Sequence, residues 1–241
     1  MNKVFIGYDE REDEAAQVCR FSIERRSRDA DCRFIKLPHP LYRRTFTVRD
    51  GQRFDDIDGK PFSTDFSFSR FLVPEIMEYK GWAMFCDGDF LFLSDVGHLF
   101  DMANDRYAVM CVKHHHHPAE TTKMDGQMQT RYTRKNWSSL VLWNCGHPAN
   151  AALKADEVNT RHGSWLHGFQ WLPDALIGAL PENWNWLVGA SPTTNAYHAD
   201  GDIMRGIHFS SGGPWFEDSR AVEFADAWMR ERAEMMKVMA V

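Results

Sequence analysis

The chain opens with a short apolar strand, Lys3-Val-Phe-Ile-Gly-Tyr-Asp9, that runs into a helical repeat with Ala15, Cys19 and Ile23 on one face. A second strand, "CRFIKL" at 32 to 37, follows at once. Two strands joined by a helix must pair in parallel if they are neighbours, because a crossover of this length suits no hairpin. The opening therefore commits the chain to an α/β architecture, and Asp9 with Glu12 fits an N-cap pair at the helix start. At 241 residues the length suits one large core. With no internal repeat and no linker, one domain over 1–241 is expected.

The apolar punctuation continues the same pattern. Residues 38 to 65 are polar and irregular and read as a long excursion loop over the sheet edge. "FSFSRFLVPEIMEY" resumes helical spacing, and "WAMFCDGDFLFLSDVGHLF" reads as strand, charged turn, strand and short helix. "YAVMCV" and "SLVLWN" are further buried strands. Between them, 113–135 lacks apolar periodicity and reads as a mobile insertion, with His114 to His117 as exposed loop histidines. "WLPDALIGAL" fits an amphipathic helix that tolerates Pro173 in its first turn. The tail, 217–241, predicts a terminal helix with Val222, Ala225, Trp228 and Met229 along one side.

A net charge of −6 excludes the clustered basic footprint that nucleic-acid binding needs. The five cysteines are scattered, odd in number and set in apolar runs, which reads as reduced core thiols and a cytoplasmic address, with any membrane association peripheral. The start of the chain lacks a signal-peptide core, and no stretch reaches the ~18 apolar residues of a membrane span. The 9 Trp and 17 Phe serve core packing or sugar stacking, with Trp165, Trp171, Trp184 and Trp186 open to either role.

The chemistry concentrates at "FCDGDFLFL". Asp87 and Asp89 leave an apolar strand one residue apart, so they share a face and repel unless a proton or cation lies between them. Ligands of open α/β sheets sit beyond the carboxyl ends of the strands. Both Gly7-Tyr8-Asp9 and Asp87-Gly88-Asp89 lie at such ends. Paired carboxylates there can hold Mg²⁺ or Mn²⁺, which can in turn hold a diphosphate.

With its flanking helix, this stretch resembles the Asp-x-Asp segment of GT-A nucleotide-sugar glycosyltransferases, most closely glycosyltransferase family 8. "HFSSGGPW" is similar to that family's closing His-x-x-Gly-x-x-Lys-Pro-Trp signature. The resemblance implies a GT-A-like single domain, with a mixed, mostly parallel sheet flanked by helices. The implied activity is metal-dependent transfer of a sugar, with retention, from a nucleoside diphosphate donor (UDP first) to a glycan or other hydroxyl acceptor. It makes Asp87, Asp89 and His208 ligands of Mn²⁺ (or Mg²⁺), with Asp87 also near the ribose. Arg70 falls beside the donor sugar as a catalytic candidate. Gly7, Tyr8 and Asp9 fall at the base, and Gly88, Gly212 and Trp215 line the donor. Asp9 is open to base reading or capping, and Asp174 to a role at the reacting sugar or to a first-turn acid complementing the helix dipole.

The chain departs from that pattern in three places. Gly213 stands where the signature has its diphosphate-binding lysine, so Arg131, Arg134 or Lys135 is the expected substitute cation. Trp137, Ser138 and Ser139, with Asn136 nearby, replace one sugar-binding segment, and Leu172 and Pro173 replace an acid and a glutamine in another. Two rival classes share the Asp-x-Asp: a metal-dependent phosphohydrolase, in which the first Asp attacks phosphorus, and a non-catalytic nucleotide-sugar-binding protein.

Overall fold

The computed structural model describes residues 1–114, 134–191 and 204–240. The first elements are β1 (Asn2–Gly7), α1 (Asp13–Arg26) and β2 (Ala30–Ile35), and β1 pairs with β2 in parallel from Asn2 opposite Ala30 to Gly7 opposite Ile35. The expected βαβ unit is present. Ala15, Val18, Cys19, Ser22 and Ile23 form the buried stripe of α1, the spacing of a helix with one apolar face.

The 38–65 excursion carries its own sheet, contrary to the irregular loop expected. Strands β3 (Phe46–Arg49), β4 (Gln52–Asp55) and β5 (Pro61–Phe62) form an antiparallel meander. Asp50 and Gly51, both at positive φ (50° and 76°), make the two-residue turn between the first pair. Arg44 anchors the meander: its guanidinium grips Asp55 at 2.8 and 2.6 Å and donates to the carbonyls of Val158 and Arg161. The next helical stretch is broken into α2 (Phe66–Ser69), a 3₁₀ turn (Arg70–Leu72) and α3 (Val73–Ile76).

The remaining elements are β6 (Trp82–Cys86), β7 (Phe90–Phe92), α4 (Gly97–Asp101), β8 (Val109–Cys111), β9 (Leu140–Asn144), α5 (Ala155–Thr160), α6 (Gly163–His167), β10 (Ile177–Ala179), β11 (Trp186–Leu187), β12 (Gly206–His208) and α7 (Ala225–Met239). The main sheet runs β10-β8-β9-β6-β1-β2, parallel except for the two pairings of β9. This is the expected α/β fold with a mixed, mostly parallel sheet. A second sheet runs β11-β12-β7.

Two local expectations are corrected. "WLPDALIGAL" is not a helix: a 3₁₀ turn at Asp174–Leu176 leads into β10, whose backbone pairs with β8. Gly178 suits that strand, since a Cβ there would lie 2.7 Å from Met110 and Tyr107. The terminal helix begins at Ala225, not 217, because Phe224 before it is left-handed (φ 62°). Met229 is exposed, and Met235 and Glu231 join Trp228 on the buried side. Most of the 113–135 insertion, residues 115–133 with Arg131 and His115 to His117, lies outside the described residues.

Strand alternation divides the core. Phe5, Ala83 and Phe85 face one cluster with Phe71, Trp143 and Phe169, while Val4, Ile6, Met84 and Cys86 face another with Phe90 and Phe92. A third cluster, Val18, Leu91, Ile207, Phe209, Trp228 and Met235, joins α1, the second sheet and α7. The tryptophans belong to these cores: Trp184 is fully buried, Trp165 and Trp171 pack on the first cluster and Trp186 on the third.

Candidate metal centre and its cavity

The Asp87-Gly88-Asp89 turn carries the chain from β6 in the main sheet to β7 in the second. Its two ends are pinned separately: the Asp87 amide donates to the Ser139 carbonyl at 2.9 Å, and the Asp89 carbonyl accepts from the Phe209 amide at 3.0 Å. Only glycine fits between them. A Cβ on Gly88 would lie 2.5 Å from the Gly7 carbonyl oxygen and 3.3 Å from the Ala16 Cβ. The register of the second sheet sets His208 opposite Phe90, and the two rings stack with centroids 4.3 Å apart.

These two pieces of backbone converge three side chains that the sequence separates. His208 Nε2 lies 3.2 Å from Asp89 Oδ1 and 4.0 Å from Asp87 Oδ2. One ligand atom from each of the three falls within 4.8 Å of the others, so among the described residues this group could hold a metal ion. All three are buried to less than a tenth of their surface, and Nε2 has no hydrogen-bond partner among the described residues. Arg70 Nη1 sits 2.7 Å from Asp87 Oδ1 and also donates to the Ser138 carbonyl at 3.0 Å. Two carboxylates and an imidazole this close, with a guanidinium beside the first, form a donor set of oxygen and nitrogen ligands, and an Asp, Asp, His set suits Mn²⁺.

The site opens onto a cavity. Arg70, Asp87, Ser138, Ser139, His208, Ser210 and Ser211 line it, together with Lys135 and Asn136 and with Asp58, Lys60 and Phe62 of the meander. His167, at the end of α6, reaches the wall and shares a 2.8 Å hydrogen bond with Ser138 Oγ. Burial first, then the charges of Arg70, Lys135 and Arg44, hold its imidazole well below the usual histidine range. It is a neutral group set among cations.

Other expected residues stand elsewhere. Asp174 is not among the cavity-lining residues; its side chain is 86% exposed and pairs with Arg134. Asp9 is buried and its carboxylate is engaged by Arg11 (3.0 and 2.7 Å), Arg53 (3.2 Å) and the Asp65 amide (3.0 Å). Burial alone would raise the Asp9 carboxyl, but the Arg11 hydrogen bonds and charge, with the Asp65 and Arg11 amides, outweigh it and hold it at about 2. It also caps the first turn by accepting from the Arg11 amide. Tyr8 donates to Asp13, which with burial and nearby acids pushes its hydroxyl up to about 12, and Lys36 covers its ring at 3.8 Å. Gly7 ends β1 against the Phe66 ring.

Trp215 packs on Phe209, Phe216 and Trp228, and so belongs to the third core and not to the cavity wall. Gly212 has φ 110°, and a Cβ on Gly213 would lie 2.2 Å from the Trp215 ring. That ring leaves no space for a lysine at 213. Sequence reasoning missed His167, Lys60 and Asn185, the last of which hydrogen-bonds His208 from the loop between β10 and β11. None of them stands in a motif, and only the loop's "NWNW" aromatic clustering marks Asn185 as a site of tight packing.

No protein-family model matches the chain. Among solved structures it is similar to the bifunctional glycosyltransferase WbbM (TM-score 0.61, 14% identity, 98% of this chain and 51% of that one). It is similar to GlyE of Streptococcus pneumoniae TIGR4 (0.61, 14%, 96% and 60%) and to the galactosyltransferase LgtC (0.57, 14%, 96% and 95%). The chain thus spans about half to three-fifths of the first two and nearly all of the third.

Sheet order, the turn between sheets and these likenesses define a chain with a GT-A glycosyltransferase-like fold. Within that class it belongs to the family of Protein CDI from Arabidopsis thaliana, to which it is 45% identical over 245 residues, covering 98% of this chain and 87% of the relative.

Proposed function

We propose that the chain is a metal-dependent glycosyltransferase that moves a sugar from a nucleoside diphosphate donor, UDP-linked first, to a hydroxyl acceptor such as a glycan, with retention. The observation that carries this reading is the convergence of Asp87, Asp89 and His208 within reach of one ion, with Asp87 and His208 on the wall of the cavity. A Mn²⁺ or Mg²⁺ held there supplies Lewis-acid neutralisation of the charge on a departing diphosphate.

The chain's own groups do the rest. Arg70, fixed by Asp87 and the Ser138 carbonyl, presents a cation beside the donor and acts on charge developing there. Lys135, on the same cavity, takes the place that Gly213 cannot fill. Ser210 and Ser211, not Gly212 and Trp215, offer hydroxyls to the donor. Gly7 and Tyr8 at the end of β1 remain the proposed place of the base, with Asp9 as its scaffold. Asp174 is left out of the reacting machinery, since it is exposed and paired with Arg134.

The test is thermal shift, calorimetry and nucleotide release across a panel of nucleoside diphosphate sugars with Mn²⁺. A donor at a hundred times its Kd stabilises by about 2.7 kcal/mol, a Tm rise of roughly 5 to 10 °C at this size. Asp89→Asn is expected to weaken Mn²⁺-dependent binding at least about 100-fold. No stabilising donor, or an Asp89→Asn protein that binds as wild type does, overturns the proposal. Binding without release of nucleotide would favour the non-catalytic alternative.

A further inference from the structure

The structure assigns to Asn185 and Ser139 the positioning of His208: they fix its ring with the proton on Nδ1 and the Nε2 lone pair turned toward the two carboxylates. The inference rests on the metal reading above and deepens it. The direction of the relay can be deduced from its far end. A backbone carbonyl only accepts, so Ser139 Oγ spends its single proton on the Asn136 carbonyl, 2.7 Å away. The lone pairs of Ser139 Oγ then accept from Asn185 Nδ2 at 2.9 Å, which orients the Asn185 amide. Its Oδ1 therefore faces His208 Nδ1 at 2.9 Å. An amide oxygen only accepts, so Nδ1 must donate.

The consequence falls on the other ring nitrogen. In the neutral ring Nε2 is left with a lone pair 3.2 Å from Asp89 Oδ1, an arrangement that is repulsive until a cation stands between them. The opposite tautomer would let Nε2 donate to Asp89. It would also leave the Nδ1 lone pair against Asn185 Oδ1, two acceptors face to face with Asn185 and His208 both almost fully buried. The relay thus trades a His–Asp hydrogen bond for a cation seat, the task of an outer shell that orients an imidazole ligand.

The same short segment holds the rest of the site. Asn136, at its start, is left-handed (φ 64°), the Ser139 carbonyl takes the Asp87 amide, and the Ser138 carbonyl takes Arg70. Segment 136–139 therefore sets the imidazole, the first carboxylate and the guanidinium from one turn.

The experiment has two arms on the full chain. Long-range ¹H–¹⁵N correlation of the imidazoles, with His208→Gln to assign the ring, reads whether Nδ1 carries a proton in metal-free protein and with diamagnetic Mg²⁺. Electron paramagnetic resonance titration with Mn²⁺ reads affinity. Wild type is expected to keep Nδ1 protonated in both states. In Asn185→Leu the proton of the neutral ring moves to Nε2, and Mn²⁺ affinity falls about 10- to 100-fold. Ser139→Ala, a smaller change, shifts both readouts the same way and decides the matter if Asn185→Leu does not fold. An unprotonated Nδ1 in wild type overturns the inference, as do variants that keep Nδ1 protonated and bind Mn²⁺ within threefold of wild type. If wild type binds no Mn²⁺, the metal reading falls, and the tautomer arm still judges the relay.

Discussion

His167 shows how the cavity treats a titratable group. Its ring lies against Phe71 (centroids 5.2 Å apart) and its Nδ1 meets Ser138, so protonation would bury a charge beside the Arg70 guanidinium. Below the unfolded pKa of about 6.5, the unfolded chain takes up a proton that the folded chain refuses, so stability falls as pH is lowered. His167→Gln removes that linkage. Denaturant melts of the two proteins between pH 7 and 5 are expected to differ in slope by about 1.4 kcal/mol per pH unit below 6.5, with the variant shallower; equal slopes would mean that the ring is protonated in place. The sequence made the ligands legible and this residue not. Asp87 and Asp89 stand in a motif at a strand end and His208 in another. His167 and Asn185 reach the site through side-chain contacts made across chain separations of 29 and 23 residues, and no local spacing encodes those.

At the scale of elements, the turn between β6 and β7 is the part on which most depends. Gly88→Ala puts a methyl group 2.5 Å from the Gly7 carbonyl oxygen, a backbone atom that cannot swing aside. The turn must lift from β1 and α1 and carry both carboxylates with it. Overpacking of this kind costs about 1 to 3 kcal/mol, a Tm loss of roughly 2 to 12 °C, and Mn²⁺ affinity is expected to fall with it, read by thermal melts and metal titration. Wild-type affinity in Gly88→Ala would mean that the carboxylates are not held by this turn. The same contrast explains which elements could be read in advance. β1, β6 and β9 are buried on both faces and so appear as continuous apolar runs. β3 is exposed along its length and β4 buries the polar Gln52 and Asp55, so neither carries an apolar pattern, although Asp50-Gly51 between them is a hairpin signal. Ile177 to Ala179 mimics helical spacing and is claimed by pairing with β8.

At the scale of the whole molecule, the site exists because two sheets meet at one turn, and α7 is what presses the second sheet into place. Trp228 and Met235 of α7 pack in one cluster with Val18 of α1, with Leu91, two residues after Asp89, and with Ile207, which pairs with Leu91 and precedes His208. The helix is tied to α1 by Arg26, whose two Nη atoms meet the two carboxylate oxygens of Glu231 at 2.7 Å each, with Arg25 at 3.5 Å. Glu231 is 6% exposed and Arg26 22%, so loss of the glutamate strands a partly buried guanidinium that water can reach in part. Glu231→Ala should therefore cost about 2 to 3 kcal/mol, below the range for a fully buried pair, and lower Tm by roughly 4 to 12 °C. Core packing, not this ion pair, sets the position of β12, so Mn²⁺ affinity measured well below the variant's Tm should stay within about twofold of wild type. A parallel loss of affinity in the folded variant would show instead that the α1–α7 tie is transmitted through Ile207 to His208. In that case the ion pair would belong to the site and not only to the scaffold.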